Sequence, residues 1–188
     1  MSLFSLLTAP EKMRAHIDDY SAKAKLETRL VDLFAHARKR PAVILCIGTD
    51  RSTGDALGPL IGTHLSRLNL PKLHVYGTLD EPVHAQNLGE NIKFIQNSLV
   101  NPFIIAIDAC LGRIDSVGCI TLADGPIKPG AGVHKELPEV GEAHITGIVN
   151  VGGFMEFMVL QNTRLNLVWR MSENISSLIT RSYLSVVH

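Results

Sequence analysis

The residues with the clearest capacity for chemistry stand in one segment, Gly48-Thr49-Asp50-Arg51-Ser52-Thr53-Gly54-Asp55-Ala56-Leu57-Gly58-Pro59. It directly follows an apolar run, 42–47, and leads into a helical pattern. Two carboxylates and a guanidinium therefore fall on a Gly-rich loop at a strand's carboxyl end, the edge where open α/β sheets bind ligands. A further carboxylate, Asp108, closes a second apolar run, Phe103-Ile104-Ile105-Ala106-Ile107. Buried there, it must be paired, hydrogen-bonded, protonated or metal-bound, because an isolated buried carboxylate is costly. If the two runs are neighbouring strands, Asp55 and Asp108 share a cleft. Two carboxylates in one cleft can divide acid and base roles, or hold a water for attack on an amide. They can equally bind a divalent cation with a histidine as third ligand, for which His134 and His144 are the candidates beside the long loop 124–143.

Two Gly-rich nucleotide motifs are excluded. A phosphate-binding P-loop needs Lys-Ser/Thr after its last glycine, whereas Gly54 is followed by Asp55, which would repel a phosphate at the helix start. The spacing of Gly48, Gly54 and Gly58 does not supply G-x-G-x-x-G. Each acidic residue also has a purely structural reading. Asp55 in a first helical turn complements the helix dipole, worth roughly 0.3–1 kcal/mol. Asp50 suits a turn, with Arg51 as its surface partner. His64, His74 and His84 have no partner visible in the sequence.

The elements that must position these groups follow from the apolar periodicity. Residues 10–39 read as helical, with Leu26, Leu30, Leu33, Phe34 and Ala37 on one stripe and 1–21 as an appended helical arm to a single domain, 22–188. Buried strands are expected at 42–47, 73–76, 103–108, 117–122 and 145–151, and helices at 54–69, 84–99, 152–161 and 165–185. This alternation predicts a three-layer α/β/α sandwich on a largely parallel sheet. The chain has 188 residues, 46% hydrophobic and 19% charged, enough for one substantial core. Lys plus Arg equals Asp plus Glu at 18 each, so no global field favours nucleic acid or an anionic membrane. Balanced charge is compatible with a homo-oligomer. Cys46, Cys110 and Cys119 form no metal or disulfide spacing and read as reduced thiols of a cytoplasmic protein.

The loop Gly54-Asp55-Ala56-Leu57-Gly58-Pro59 and the strand end Ile107-Asp108-Ala109 resemble the spore-specific germination proteases. Lys128-Pro129-Gly130-Ala131-Gly132-Val133 is similar to that family's Pro-Gly-Ser-Gly-Val segment. From about Ala42 to Arg181 the pattern most resembles sporulation proteins of the YyaC type, with a more distant likeness to hydrogenase maturation endopeptidases. The resemblance implies a phosphorylase/hydrolase-like fold and a hydrolase acting on a protein or peptide, a spore protein among the candidates, in the mother cell or forespore. It implies catalytic roles for Asp55 and Asp108, with Asp50, Arg51, Gly54, Gly130 and Gly132 supporting substrate or transition state. It implies no cofactor beyond a divalent metal. The endopeptidases' third ligand is a histidine, and Asn150 stands in its place here. A non-catalytic regulatory or binding protein that keeps the fold, or a metal-dependent maturation enzyme, are the alternatives.

Overall fold

The structure, a computed structural model, describes residues 12–129 and 137–187. Its strands are β1 (Lys12–His16), β2 (Ala42–Cys46), β3 (Leu73–Tyr76), β4 (Phe103–Gly112), β5 (Cys119–Asp124) and β6 (Ala143–Val151). The helices are α1 (Tyr20–Ala37), α2 (Leu57–Leu68), α3 (Leu88–Ser98), α4 (Glu156–Gln161) and α5 (Leu165–Val187). One sheet holds all six strands in the order β1-β5-β6-β4-β2-β3. β6, β4, β2 and β3 run parallel, while β5 is antiparallel to both β6 and β1.

The period-2 alternation of strand side chains separates two cores. Ile44 and Cys46 of β2, Phe103, Ile105 and Ile107 of β4, and Ala143 and Ile145 of β6 pack under α1, α2 and α5. Val43, Leu45, Ile47, Ile104 and Ala106 face the other way, against Leu88 and Ile95 of α3 and against Leu137 and Val140. The central strands are apolar on both faces because both are covered. α5 explains its own placement: Val168, Met171, Ile175, Leu178 and Ile179 recur at helical spacing and are all buried. Asp19 starts α1 by accepting the Ala22 N–H at 2.9 Å, and left-handed Asn69 ends α2.

The three-layer sandwich with a mostly parallel sheet matches expectation, and β2 and β4 are neighbours in register, Ala42 opposite Phe103 and Cys46 opposite Ile107. The amino-terminal reading is corrected. Where a helical arm was expected, Lys12–His16 is an edge strand paired with β5, and α1 begins only at Tyr20. Met13, Ala15 and Ile17 alternate with polar residues, a two-residue period hidden by the helical pattern that follows it. Residues 1–11 lie outside the described part. β4 also runs four residues beyond Asp108, so that aspartate sits within the strand rather than at its end. The strand expected at 117–122 is shifted to 119–124. The helix expected over 152–161 starts only at Glu156. Among the described residues no helix is long and apolar enough to cross a membrane.

α2 lies on β2 at backbone distance. A Cβ on Gly58 would overlap the Ile47 carbonyl oxygen, so neither backbone can retreat without disturbing the buried Leu57, Ile61 and Leu65. Gly58→Ala should therefore lower stability by about 1–3 kcal/mol by overpacking, although alanine is otherwise the better helix former. Urea unfolding measures this, and a midpoint at or above the parent's would show that α2 has room to move.

Candidate active site

Asp55 lies in a 3-10 turn, Gly54–Ala56, that joins the loop after β2 to α2. The loop is folded back tightly. The Thr49 N–H donates to the Asp55 carbonyl at 3.1 Å, and the Ala56 N–H to the Ser52 carbonyl at 3.0 Å. Gly48, at φ +147°, supplies the space: a Cβ there would overlap the Asp55 carbonyl oxygen. The turn touches β4, α4 and α5 besides α2. Asp55 is half-buried, and burial raises its carboxyl pKa above the usual carboxylate range.

Asp108 is 8% exposed, and its Oδ1 accepts the N–H of Ala109 at 2.9 Å. β2 ends opposite Ile107, so Asp108 is the first β4 residue to reach past its neighbour, while β6 continues alongside with Thr146 opposite. By alternation its side chain shares the face of Ile104 and Ala106. The Cys110 thiol is raised mainly by burial and also by the Asp108 charge, against the lowering influence of Thr146, Arg14 and Lys12. Asp108 thus belongs to a polar neighbourhood that includes a partly exposed thiol. The rise at Asp55 comes from its burial.

Asn150 forms a third node. β6 carries one extra residue where its register with β4 shifts, so that Cys110 is opposite Ile148 and Leu111 is opposite Asn150. The Asn150 amide donates to Thr163 Oγ1 at 3.2 Å and to the Val159 carbonyl at 3.3 Å, and its Oδ1 accepts the Val151 N–H at 2.8 Å. Thr163 Oγ1 in turn donates to the Val159 carbonyl at 2.8 Å. The same Oγ1 would lie 3.1 Å from a Cβ on Gly54, with Leu160 Cδ2 at 2.7 Å. β6, α4 and the Asp55 turn are therefore packed through one small knot.

The other expected residues are distributed differently. Gly54 is buried within the turn, whereas Asp50 and Arg51 are exposed on the outer loop, where the Arg51 N–H donates to Thr49 Oγ1 at 3.3 Å. His144 lies on β6 opposite Ala106, with Nδ1 2.9 Å from the Gly125 carbonyl oxygen. Gly130, Gly132 and His134 lie outside the described residues. Among the described residues no three His, Cys, Asp or Glu side chains gather where they could hold a metal ion. Asn150's carboxamide is committed to three hydrogen bonds, with Thr163, Val159 and Val151. Thr163, Leu160 and Thr146 were not singled out by sequence, and Cys110 was read only as a reduced thiol; their places depend on long-range packing that leaves no local spacing to read.

The fold and site define a three-layer α/β protein with an acidic turn and a buried strand aspartate near the carboxyl ends of parallel strands. The chain belongs to the family described as "Protein of unknown function (DUF1256)", which matches residues 14–178. It is similar to the uncharacterized protein YyaC of Bacillus subtilis (strain 168), 53% identical over 169 residues, covering 89% of this chain and 82% of that protein. Its fold is similar to the crystal structure of a NiFe hydrogenase maturation protease, HycI from Thermococcus kodakarensis KOD1. The TM-score is 0.53 and the identity 17%, over 83% of this chain and 99% of that one, a likeness of fold alone.

The burial of Asp55 has a pH signature. Its folded pKa is raised, so as pH climbs from the unfolded carboxylate value toward the folded one, the folded state holds more protons and stability falls. Asp55→Asn removes this loss. Urea midpoints at pH 4 and pH 7 should show the variant gaining on the parent as pH rises; a constant difference would mean that Asp55 is as solvated folded as unfolded.

Proposed function

We propose that this chain is a peptidase-type hydrolase of a sporulating bacterium, acting in the cytoplasm on a protein substrate, with Asp55 and Asp108 as its catalytic pair. The observation that carries this reading is a half-buried aspartate with a raised pKa, on a turn in contact with the strand of a second, buried aspartate. Protonation nearer neutrality suits Asp55 to take a proton from an attacking water. That water's oxygen would bond to the amide carbon as the carbon–nitrogen bond breaks, and the proton taken by Asp55 would pass to the departing amine while the Asp108 carboxylate orients the water. Arg51 and the loop N–H groups are suited to receive the oxyanion. The fold likeness to a maturation protease and the resemblance of the loop to germination proteases support peptide bonds as the target. No step is assigned to a metal.

A second reading, a non-catalytic binding protein on the same fold, is favoured by Asn150, whose amide is tied into structure where the endopeptidase pattern has a ligating histidine.

Purified protein incubated with protein extracted from forespores should release discrete fragments. Asp55→Asn and Asp108→Asn should each slow cleavage by about 10²–10⁴-fold, with both variants still folded. Cleavage undiminished by both substitutions would remove the mechanism, and capture of a partner left uncut would support the second reading.

A further inference from the structure

β1 alone among the described strands carries lysine or arginine. Its sequence, Lys12-Met13-Arg14-Ala15-His16, alternates basic side chains with apolar ones. Met13, Ala15 and Ile17 belong to the core that α1 covers, while Lys12, Arg14 and His16 are exposed together on the opposite face. β1 is also the last strand of the sheet, with β5 on one side only. The Ile17 N–H donates to the Gly118 carbonyl at 3.0 Å, and these two residues continue the β1–β5 register. By alternation the backbone groups of Ala15 and Met13 also face β5, and those of Lys12 and Arg14 face outward. Among the described residues no other strand pairs with that outer edge. The His16 carbonyl is used locally, accepting the Asp19 N–H at 2.9 Å.

The charges on this edge are unmatched. His16 Nδ1 lies 3.7 Å from Asp18, but Lys12 and Arg14 meet no carboxylate among the described residues. Arg14 Nε and Nη1 donate to Thr121 Oγ1 and Ser116 Oγ, each at 3.3 Å, which holds the guanidinium in place on two neutral hydroxyls. A basic side chain on an edge can serve simply to repel another strand. A guanidinium already fixed by its surroundings is instead pre-organised for a carboxylate. We infer that the outer edge of β1 is the docking site for an extended acidic segment of a partner protein, which joins the sheet as a further strand. Its acidic residues stand at alternate positions beside Lys12, Arg14 and His16, and the apolar residues between them extend the core next to Met13. A second copy of the chain is a poor occupant, because a two-fold pairing through β1 sets these basic residues opposite their own counterparts. Residues 1–10 are no better suited, since they contain no acidic residue. The edge lies three strand positions from β4, so this docking is independent of the Asp55–Asp108 chemistry.

A fluorescein-labelled peptide, Glu-Val-Glu-Val-Glu between Gly-Ser flanks, is titrated with the full chain and read by fluorescence polarisation. The comparison peptides are Lys-Val-Lys-Val-Lys and the rearranged Glu-Glu-Val-Val-Glu in the same flanks. The alternating acidic peptide should bind about tenfold or more tighter than the lysine peptide, and tighter than the rearranged one. Lys12→Glu combined with Arg14→Glu should reverse the charge preference, whereas Arg67→Glu, exposed on α2, should bind like the parent. Both variants should still unfold cooperatively in urea. Hydrogen–deuterium exchange should show the Lys12 and Arg14 amides slowed by the acidic peptide, a change that loose charge attraction does not produce. Equal binding of the acidic and lysine peptides, equal binding of the alternating and rearranged peptides, or unchanged exchange at those two amides would each overturn the inference. So would a parent dimer in sedimentation that already protects them.

Discussion

The site depends on backbone pressed against backbone at the carboxyl end of β2. The Ile47 carbonyl occupies the place of a side chain on Gly58, and the Asp55 carbonyl occupies that place on Gly48. From this contact the rest follows in order. α2 is drawn onto the sheet, so Leu57, Ile61 and Leu65 lose their water, each contributing about 1.5–3 kcal/mol. The turn before α2 is pulled in with it, and Asp55 loses part of its solvent. A carboxylate with less water around it holds its proton more tightly, so the upward shift at Asp55 follows from packing a few residues away.

The sheet divides the chemistry unevenly between its faces. The face under α1, α2 and α5 is a continuous apolar core. The face that carries Asp108 is apolar on β2 and at the start of β4, but turns polar toward β6 and β1, where Cys110, Thr146, Thr121 and Arg14 lie. Arg14 Nε donates to the buried Thr121 hydroxyl at 3.3 Å, satisfying a polar group that apolar neighbours would strand. Only a strand can alternate so quickly between the two environments, which is why one element carries both core isoleucines and a buried acid.

Much of this was legible in the sequence because the signals are local. The apolar runs 42–47 and 103–107 declare buried strands, the Gly-rich loop declares its turn, and the stripe through Val168, Met171 and Ile175 declares α5. The neighbouring of the two apolar runs was legible too, and the pairing of β2 with β4 brings the Asp55 turn into contact with the strand that carries Asp108. What stayed hidden is non-local. Lys12–His16 needs β5 beside it to become a strand, since an isolated alternating pentapeptide beside a helix has no reason to extend. The extension of β4 past Asp108 is likewise dictated by β6, which offers hydrogen-bonding partners as far as Val151. The knot of Asn150, Thr163 and Gly54 joins residues from three elements and has no sequence spacing at all.

The single extra residue in β6 has a larger effect than its size suggests. With an unbroken register Val149 would pair with Leu111 and Asn150 with Gly112, turning Asn150 toward the face that bears Asp108. The insertion instead leaves Val149 in the core beneath α5 and turns Asn150 to that same side, toward Val159 of α4 and Thr163. The bulge therefore selects which face of the sheet the amide joins. A lineage gaining or losing one residue there would change the partnership of the site in a single step, with every functional side chain chemically intact.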